Sequence, residues 1–248
     1  MQNIYIATVF AGALVFLLVS ILLILRYKSG ERSRIILAVI VFLSVINYIT
    51  RFIDLINGDE PEMVVSPKLL LVANFMVLCY ILYPLEVISP GWLNFRRIIK
   101  LYSMWLALLA IFLISTWAGV EFTPYVTLRE MLPNAERFEV WFRLLLALFM
   151  FTPLLFVFYI HRTRLYHNSD SIWIKKYVIT FFINVFAYII VLVLDNQLLH
   201  TLYYYISVGC SLYIVYLELF DRLIVHTSLS QPETTIISEV ASDLSAEQ

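Results

Sequence analysis

Charge is what this sequence has least of. Asp, Glu, Lys and Arg make up 14% of its 248 residues, against about 25% in an ordinary soluble domain. The formal net charge is −1, which gives no case for a nucleic-acid-binding surface in these residues. Glycine is scarce, six in all, and that argues against the broken, Gly- and Pro-interrupted helices of many transporters. The two cysteines, Cys79 and Cys210, lie inside apolar runs. Their spacing fits neither a metal site nor a disulfide framework, so they read as small buried hydrophobes. His161, His167, His200 and His226 fall at the ends of apolar runs or beyond them. No HExxH, Walker loop, GxGxxG or GxSxG accompanies them. The last apolar run has no lysine for a retinal Schiff base. These absences leave no reaction chemistry: the expectation is a protein that is not an enzyme and carries no cofactor or metal.

What is present is apolar surface. Apolar residues reach 62% and aromatics 16%, the profile of a chain with many helix ends at a membrane interface. A run of about 17–25 apolar residues crosses the hydrocarbon core as a helix. Seven such runs occur, at 4–25, 35–56, 69–88, 101–120, 144–160, 177–194 and 201–220. The first follows no basic segment, precedes no small-residue cleavage site and exceeds a signal-peptide core, so it reads as an uncleaved helix. Pro84 and Pro153 fall within runs, where they kink a membrane helix rather than end it. The fold class is therefore all-α, a seven-transmembrane-helix bundle.

The connections alternate in basic residues. Arg26, Lys28, Arg32 and Arg34 follow the first run, Arg96, Arg97 and Lys100 the third, and Arg162, Arg164, Lys175 and Lys176 the fifth. The second connection holds Asp59, Glu60 and Glu62 with only Lys68, and the sixth holds Asp195 and His200 with no Lys or Arg. Basic loops stay in the cytoplasm, which predicts the N-terminus outside, the C-terminus inside, and an inner (plasma) membrane location. Residues 1–225 form the membrane domain, and 226–248 an acidic, flexible cytoplasmic tail, with Glu233, Glu239, Asp243 and Glu247. The mixed-charge connection at 121–143 forms a short amphipathic helix into span five, a cap over the bundle, or a solvated loop.

Polar side chains within membrane spans are costly and face the bundle interior. Ser44, Asn47, Arg51 and Asp54 share one helical face, as do Ser207, Ser211, Glu218 and Asp221. Asn184 and Tyr188 form a third face, and Cys79, Tyr83 and Glu86 a fourth stripe. The topology gathers these into two candidate clusters. An outer one holds Arg51, Asp54, Asp195 and His200, with Asn196, as a candidate ligand site. An inner one holds Glu86, Glu218 and Asp221, near Arg26, Arg96 or Arg97, as structural polar pairs.

The final span closes on Tyr213, Tyr216, Glu218, Leu219, Phe220, Asp221 and Arg222. With seven spans and basic inner loops, this region resembles the N-terminal membrane sensor of bacterial transmembrane AraC-type regulators. In those, a multi-span sensor precedes a cytoplasmic helix-turn-helix DNA-binding domain, which is absent from these residues. The resemblance implies a sensor or signalling module that passes a signal to a cytoplasmic output, in transcription regulation. Its partners would be the bilayer and an output domain or regulator reached through the tail, with no direct nucleic-acid binding by these residues. The alternative class is a small secondary transporter.

Overall fold

Long runs of Leu, Ile, Val, Phe and Ala have few competing side-chain hydrogen bonds and no interior glycine pairs, so they fold as uninterrupted helices. The computed structural model describes residues 2–27, 32–57, 65–153, 171–194 and 196–221. Its long helices are α1 (Gln2–Leu25), α2 (Arg32–Asn57), α3 (Pro67–Ile88) and α4 (Phe95–Trp117). A one-turn helix α5 (Leu128–Met131) follows, then α6 (Phe138–Phe149), α7 (Ser171–Val193) and α8 (Gln197–Tyr216). The chain continues from α8 into a π-helical turn, Leu217–Asp221. No strand occurs among the described residues.

Six of these helices are long and apolar enough to cross a membrane. They correspond to the first four and last two apolar runs, with ends displaced by a few residues. The run at 144–160 differs. Its helix begins at Phe138 and is α-helical to Phe149, with a turn at Met150 and Phe151 just ahead of Pro153. The rest of that run, from 154 onward, lies outside the described residues, as does the tail at 226–248.

The helix ends follow local chemistry. Pro67 opens α3, where a missing N–H costs nothing. Gly119, at φ +81°, ends α4: its N–H reaches the Thr116 carbonyl and that of Val120 the Ser115 carbonyl, a Schellman closure. Gly12 permits a different kind of closeness. A Cβ there would sit 2.6 Å from the Tyr48 ring and 3.3 Å from Val208, so the absence of a side chain lets α1 approach both α2 and α8.

The helix α3 occupies the centre. Its side chains and carbonyls bond to α2, α4, α6, α7 and α8, and 14 of its 22 residues are buried. By contrast α4 is peripheral: Leu108 is its one buried residue, and Met104, Ile111, Leu113 and Ile114 form an exposed apolar face. Helices run alternately between two ends. One end gathers Arg26, Arg32, Arg34, Arg96, Arg97, Lys100, Lys175 and Lys176. The other carries the connection from Glu121 to Arg137, which packs Tyr125 and Met131 onto α3 and α6.

A candidate functional site in the bundle interior

Proline 84 gives the site its geometry. It lies inside the continuous helix α3 and has no N–H, so the Tyr80 carbonyl loses its helical donor. The Tyr177 hydroxyl, from α7, donates to that carbonyl at 2.5 Å. A proline inside a membrane helix is tolerated when a neighbouring helix satisfies the freed group in this way. The same residue presents its side chain to a cavity. The Tyr80 hydroxyl lies 3.1 Å from Ser211 Oγ and 3.4 Å from Ser44 Oγ, which closes a polar floor from three helices.

The cavity above this floor encloses about 130 Å³ between α2, α3, α7 and α8. Polar groups stand at intervals along it: Asn47 on α2, Thr180 and Asn184 on α7, and Ser207 and Cys210 on α8. Asn184 Nδ2 donates to Ser207 Oγ over a long 3.4 Å. Apolar and aromatic side chains fill the intervals, among them Met76, Phe181, Val185, Tyr203 and Tyr204. Tyr203 and Ile214 bound its span on α8, a depth of roughly 16 Å at 1.5 Å per residue. Asn47 and Val72 in the wall are exposed, so the cavity is open rather than sealed. Among the described residues that line it, none is Asp, Glu, Lys, Arg or His.

One turn further along α3, towards the basic end, the chemistry changes from neutral to ionic. The Tyr83 hydroxyl donates to Glu218 Oε2 at 2.5 Å. Glu218 Oε1 lies 3.6 Å from Arg34 Nε, and both residues are at most 2% exposed. Arg34 Nη1 also donates to the Arg26 carbonyl, 2.5 Å, at the end of α1. One guanidinium thus ties together α1, α2 and the π-turn after α8. The π-turn carries Glu218, and extra-residue turns of this kind often re-aim a functional side chain. Beside it, buried Glu86 accepts the Gly91 N–H at 2.9 Å and faces Arg32 Nε at 3.9 Å. Arg32 in turn donates to the Leu93 carbonyl, so it clamps the turn between α3 and α4.

A second buried pair stands at the opposite end. Arg143 Nη1 donates to Glu139 Oε2 at 3.4 Å and its Nη2 to the Thr123 carbonyl at 2.6 Å. The Thr123 N–H donates to Glu139 Oε2 at 2.6 Å. The Arg143 guanidinium also sits over the Tyr125 and Phe122 rings. The connection at 121–143 is therefore a packed cap that leads into α6.

The candidate ligand residues of the outer cluster fall as follows. Arg51 and Asp54 are half-buried near the end of α2, and His200 is buried on the first turn of α8. Asp195 lies outside the described residues. Asn196 serves α8 itself as its N-cap, accepting the Leu198 N–H at 2.9 Å. Of the inner candidates, Glu86 and Glu218 lie buried at the basic end, and the arginines that reach them are Arg32 and Arg34. Asp221 closes the π-turn. Sequence reasoning missed Tyr80 and Tyr177 altogether. The available signal was Pro84 four residues after Tyr80, which guarantees one orphaned carbonyl. No family model, curated protein or solved structure matches the chain, so the site stands on its own geometry.

Proposed function

We propose that the chain is a membrane-embedded sensing module in which occupation of the cavity is transmitted along α3 to the buried pair at the basic end. The observation that carries this reading is the double engagement of Tyr80. Its hydroxyl belongs to the cavity floor, and its carbonyl sits at the Pro84 gap, one turn from the Tyr83–Glu218 bond. A molecule that displaces the Tyr80 ring acts directly on the most kink-prone point of α3. Glu218 lies at the exit of α8, so its release from Arg34 would reach whatever follows α8.

In this proposal seven helices cross an inner (plasma) membrane, with the N-terminus outside and the basic end in the cytoplasm. The basic end holds eight Lys and Arg among the described residues, whereas the other holds five, Arg51, Lys68, Arg129, Arg137 and Arg143, an asymmetry in the direction expected of an inward-facing basic side. Supporting a seventh crossing, α6 starts at the cap while Trp173 and Tyr177 at the start of α7 pack on Tyr83. The output is transcription regulation, in keeping with the resemblance to sensor regions of AraC-type regulators. The same cavity would suit a small transporter, but α3 runs unbroken through Pro84 with its free carbonyl satisfied, which favours a hinge over a broken binding helix.

The test uses Cys210 as a handle, in the full chain carrying Cys79→Ser and held in lipid nanodiscs. A benzyl thiosulfonate reagent tethered to Cys210 fills the cavity from within. Hydrogen exchange is then followed across 217–221 and 86–93. Sensing predicts several-fold faster exchange in both segments on tethering. Changes confined to the cavity walls, with the basic end unmoved, would sink the sensing reading and leave the transporter.

A further inference from the structure

The lining of the cavity restricts what it binds. A charged ligand in a low-dielectric interior needs a counter-charge or a dense set of hydrogen bonds. The described lining has no counter-charge, and its polar groups are neutral hydroxyls, amides and the Cys210 thiol. At the basic end the buried ions are already committed, Glu218 to Arg34 and Tyr83. At the other end Arg51 and His200 lie one turn beyond the lining residues Asn47 and Tyr204 without entering the lining. What the cavity supplies instead are hydroxyl and amide groups in weak mutual contacts. Ser44 Oγ reaches the Ile40 carbonyl at 3.3 Å and Tyr80 at 3.4 Å, and Asn184 reaches Ser207 at 3.4 Å. These are long for such groups, so a ligand hydroxyl or amide replaces them at small loss. Between the polar levels stand Met76, Phe181 and Val185, which accept an apolar body.

We infer that the cavity takes a small uncharged molecule with an apolar or aromatic body and a hydroxyl or amide group. The polar group lies against the Tyr80–Ser44–Ser211 floor or the Asn184–Ser207 pair. This inference rests on the reading of the cavity as the place where the signal enters. It makes the sensor blind to ions, amino acids and carboxylates, and responsive to neutral amphiphiles.

The test again uses the full chain with Cys79→Ser, in nanodiscs, with labelling of Cys210 by a small thiosulfonate as the readout. Four probes of matched size compete: benzamide and benzyl alcohol, which are neutral, and benzoate and benzylammonium, which are charged. Labelling follows the unoccupied fraction, so a neutral probe at about ten times its half-protecting concentration slows it roughly tenfold. Half-protection by the charged pair is expected to need a concentration on the order of a hundredfold higher. Ser211→Ala with Asn184→Leu should abolish protection by the neutral probes, with labelling in the variant measured against its own rate without probe. Equal protection by benzoate or benzylammonium, or none by any probe, overturns the ligand class. Failure here with an intact response to tethering leaves sensing standing, whereas protection without that response upholds the ligand class and removes sensing.

Discussion

The two ends of the molecule bury the same chemistry in different ways. Arg34 and Arg143 are each 2% exposed, and each faces a carboxylate that is at most 3% exposed. The Arg143 pair is local: Glu139 lies one turn away on the same helix and Thr123 twenty residues back. The Arg34 pair joins the second helix to the last, across 184 positions, and takes in the end of α1 as well. A local pair fixes the shape of one segment. A long-range pair fixes how helices stand to one another, which is what the proposed sensing would have to change. The comparison teaches where to look for movement: at the basic end, with the cap as its rigid counterpart.

The largest expected effect tests that contrast directly. Removing one member of a buried ion pair leaves the other charge uncompensated, at a cost of about 3–5 kcal/mol. Arg34→Ala should cost this much in denaturant unfolding of the full chain in detergent, with faster hydrogen exchange at the ends of α1, α2 and α8 together. Arg34→Met with Glu218→Leu should recover most of the loss, because neither charge remains. Arg143→Ala should cost about 1–3 kcal/mol, since Glu139 keeps the Thr123 N–H and Arg137. Its exchange changes should stay within 121–143. If Arg143→Ala loosens α1 or α8, the cap is no rigid counterpart and the comparison fails.

How much of this was visible in the sequence differs between the two ends for the same reason. Runs of apolar residues show six of the long helices because length and hydropathy are local properties. The faces that became cavity walls, Ser44 with Asn47 and Ser207 with Ser211, were legible as helical spacing. Glu86 and Glu218 stood out as carboxylates within apolar runs. Their arginines did not: Arg32 and Arg34 look like loop residues ahead of α2, and only the approach of the π-turn buries Arg34. At the cap the i,i+4 spacing of Glu139 and Arg143 was in plain view, but burial depends on Phe122 and Tyr125 folding back over it. The Tyr177–Tyr80 bond joins residues 97 apart, and no spacing rule reaches that far.

A middle-sized effect asks whether the basic end is joined to the cavity through the Pro84 gap. Tyr177→Phe leaves the Tyr80 carbonyl buried without a donor, for about 1–3 kcal/mol. In a Pro84→Ala background residue 84 regains its N–H, the helix supplies the missing donor, and the same Tyr177→Phe change should cost close to nothing. The coupling energy from this four-protein cycle, read by thermal unfolding, isolates the hinge from the loss of the hydroxyl itself. Equal costs in both backgrounds would mean that Tyr177 stabilises α3 by some other contact, and the link between cavity and basic end would lose its physical basis.

The smallest effect sharpens the comparison at the rims. Each end also has an exposed arginine against a buried carboxylate: Arg32, 54% exposed, on Glu86, and Arg137, 58% exposed, on Glu139. Pairs with one exposed member contribute little, about 0–1 kcal/mol, so the useful quantity is their order. Besides Arg32, Glu86 has only the Gly91 N–H among its described contacts. Glu139 keeps Arg143 and the Thr123 N–H when Arg137 is removed. Arg32→Gln should therefore lower thermal stability more than Arg137→Gln. Because Arg32 is half in solvent, salt screens its contribution, and the gap between wild type and Arg32→Gln should narrow as ionic strength rises to about 1 M, where the screening length falls to about 3 Å. A larger loss from Arg137→Gln would reverse the order and make the cap, rather than the basic end, the place where a single surface charge controls the fold.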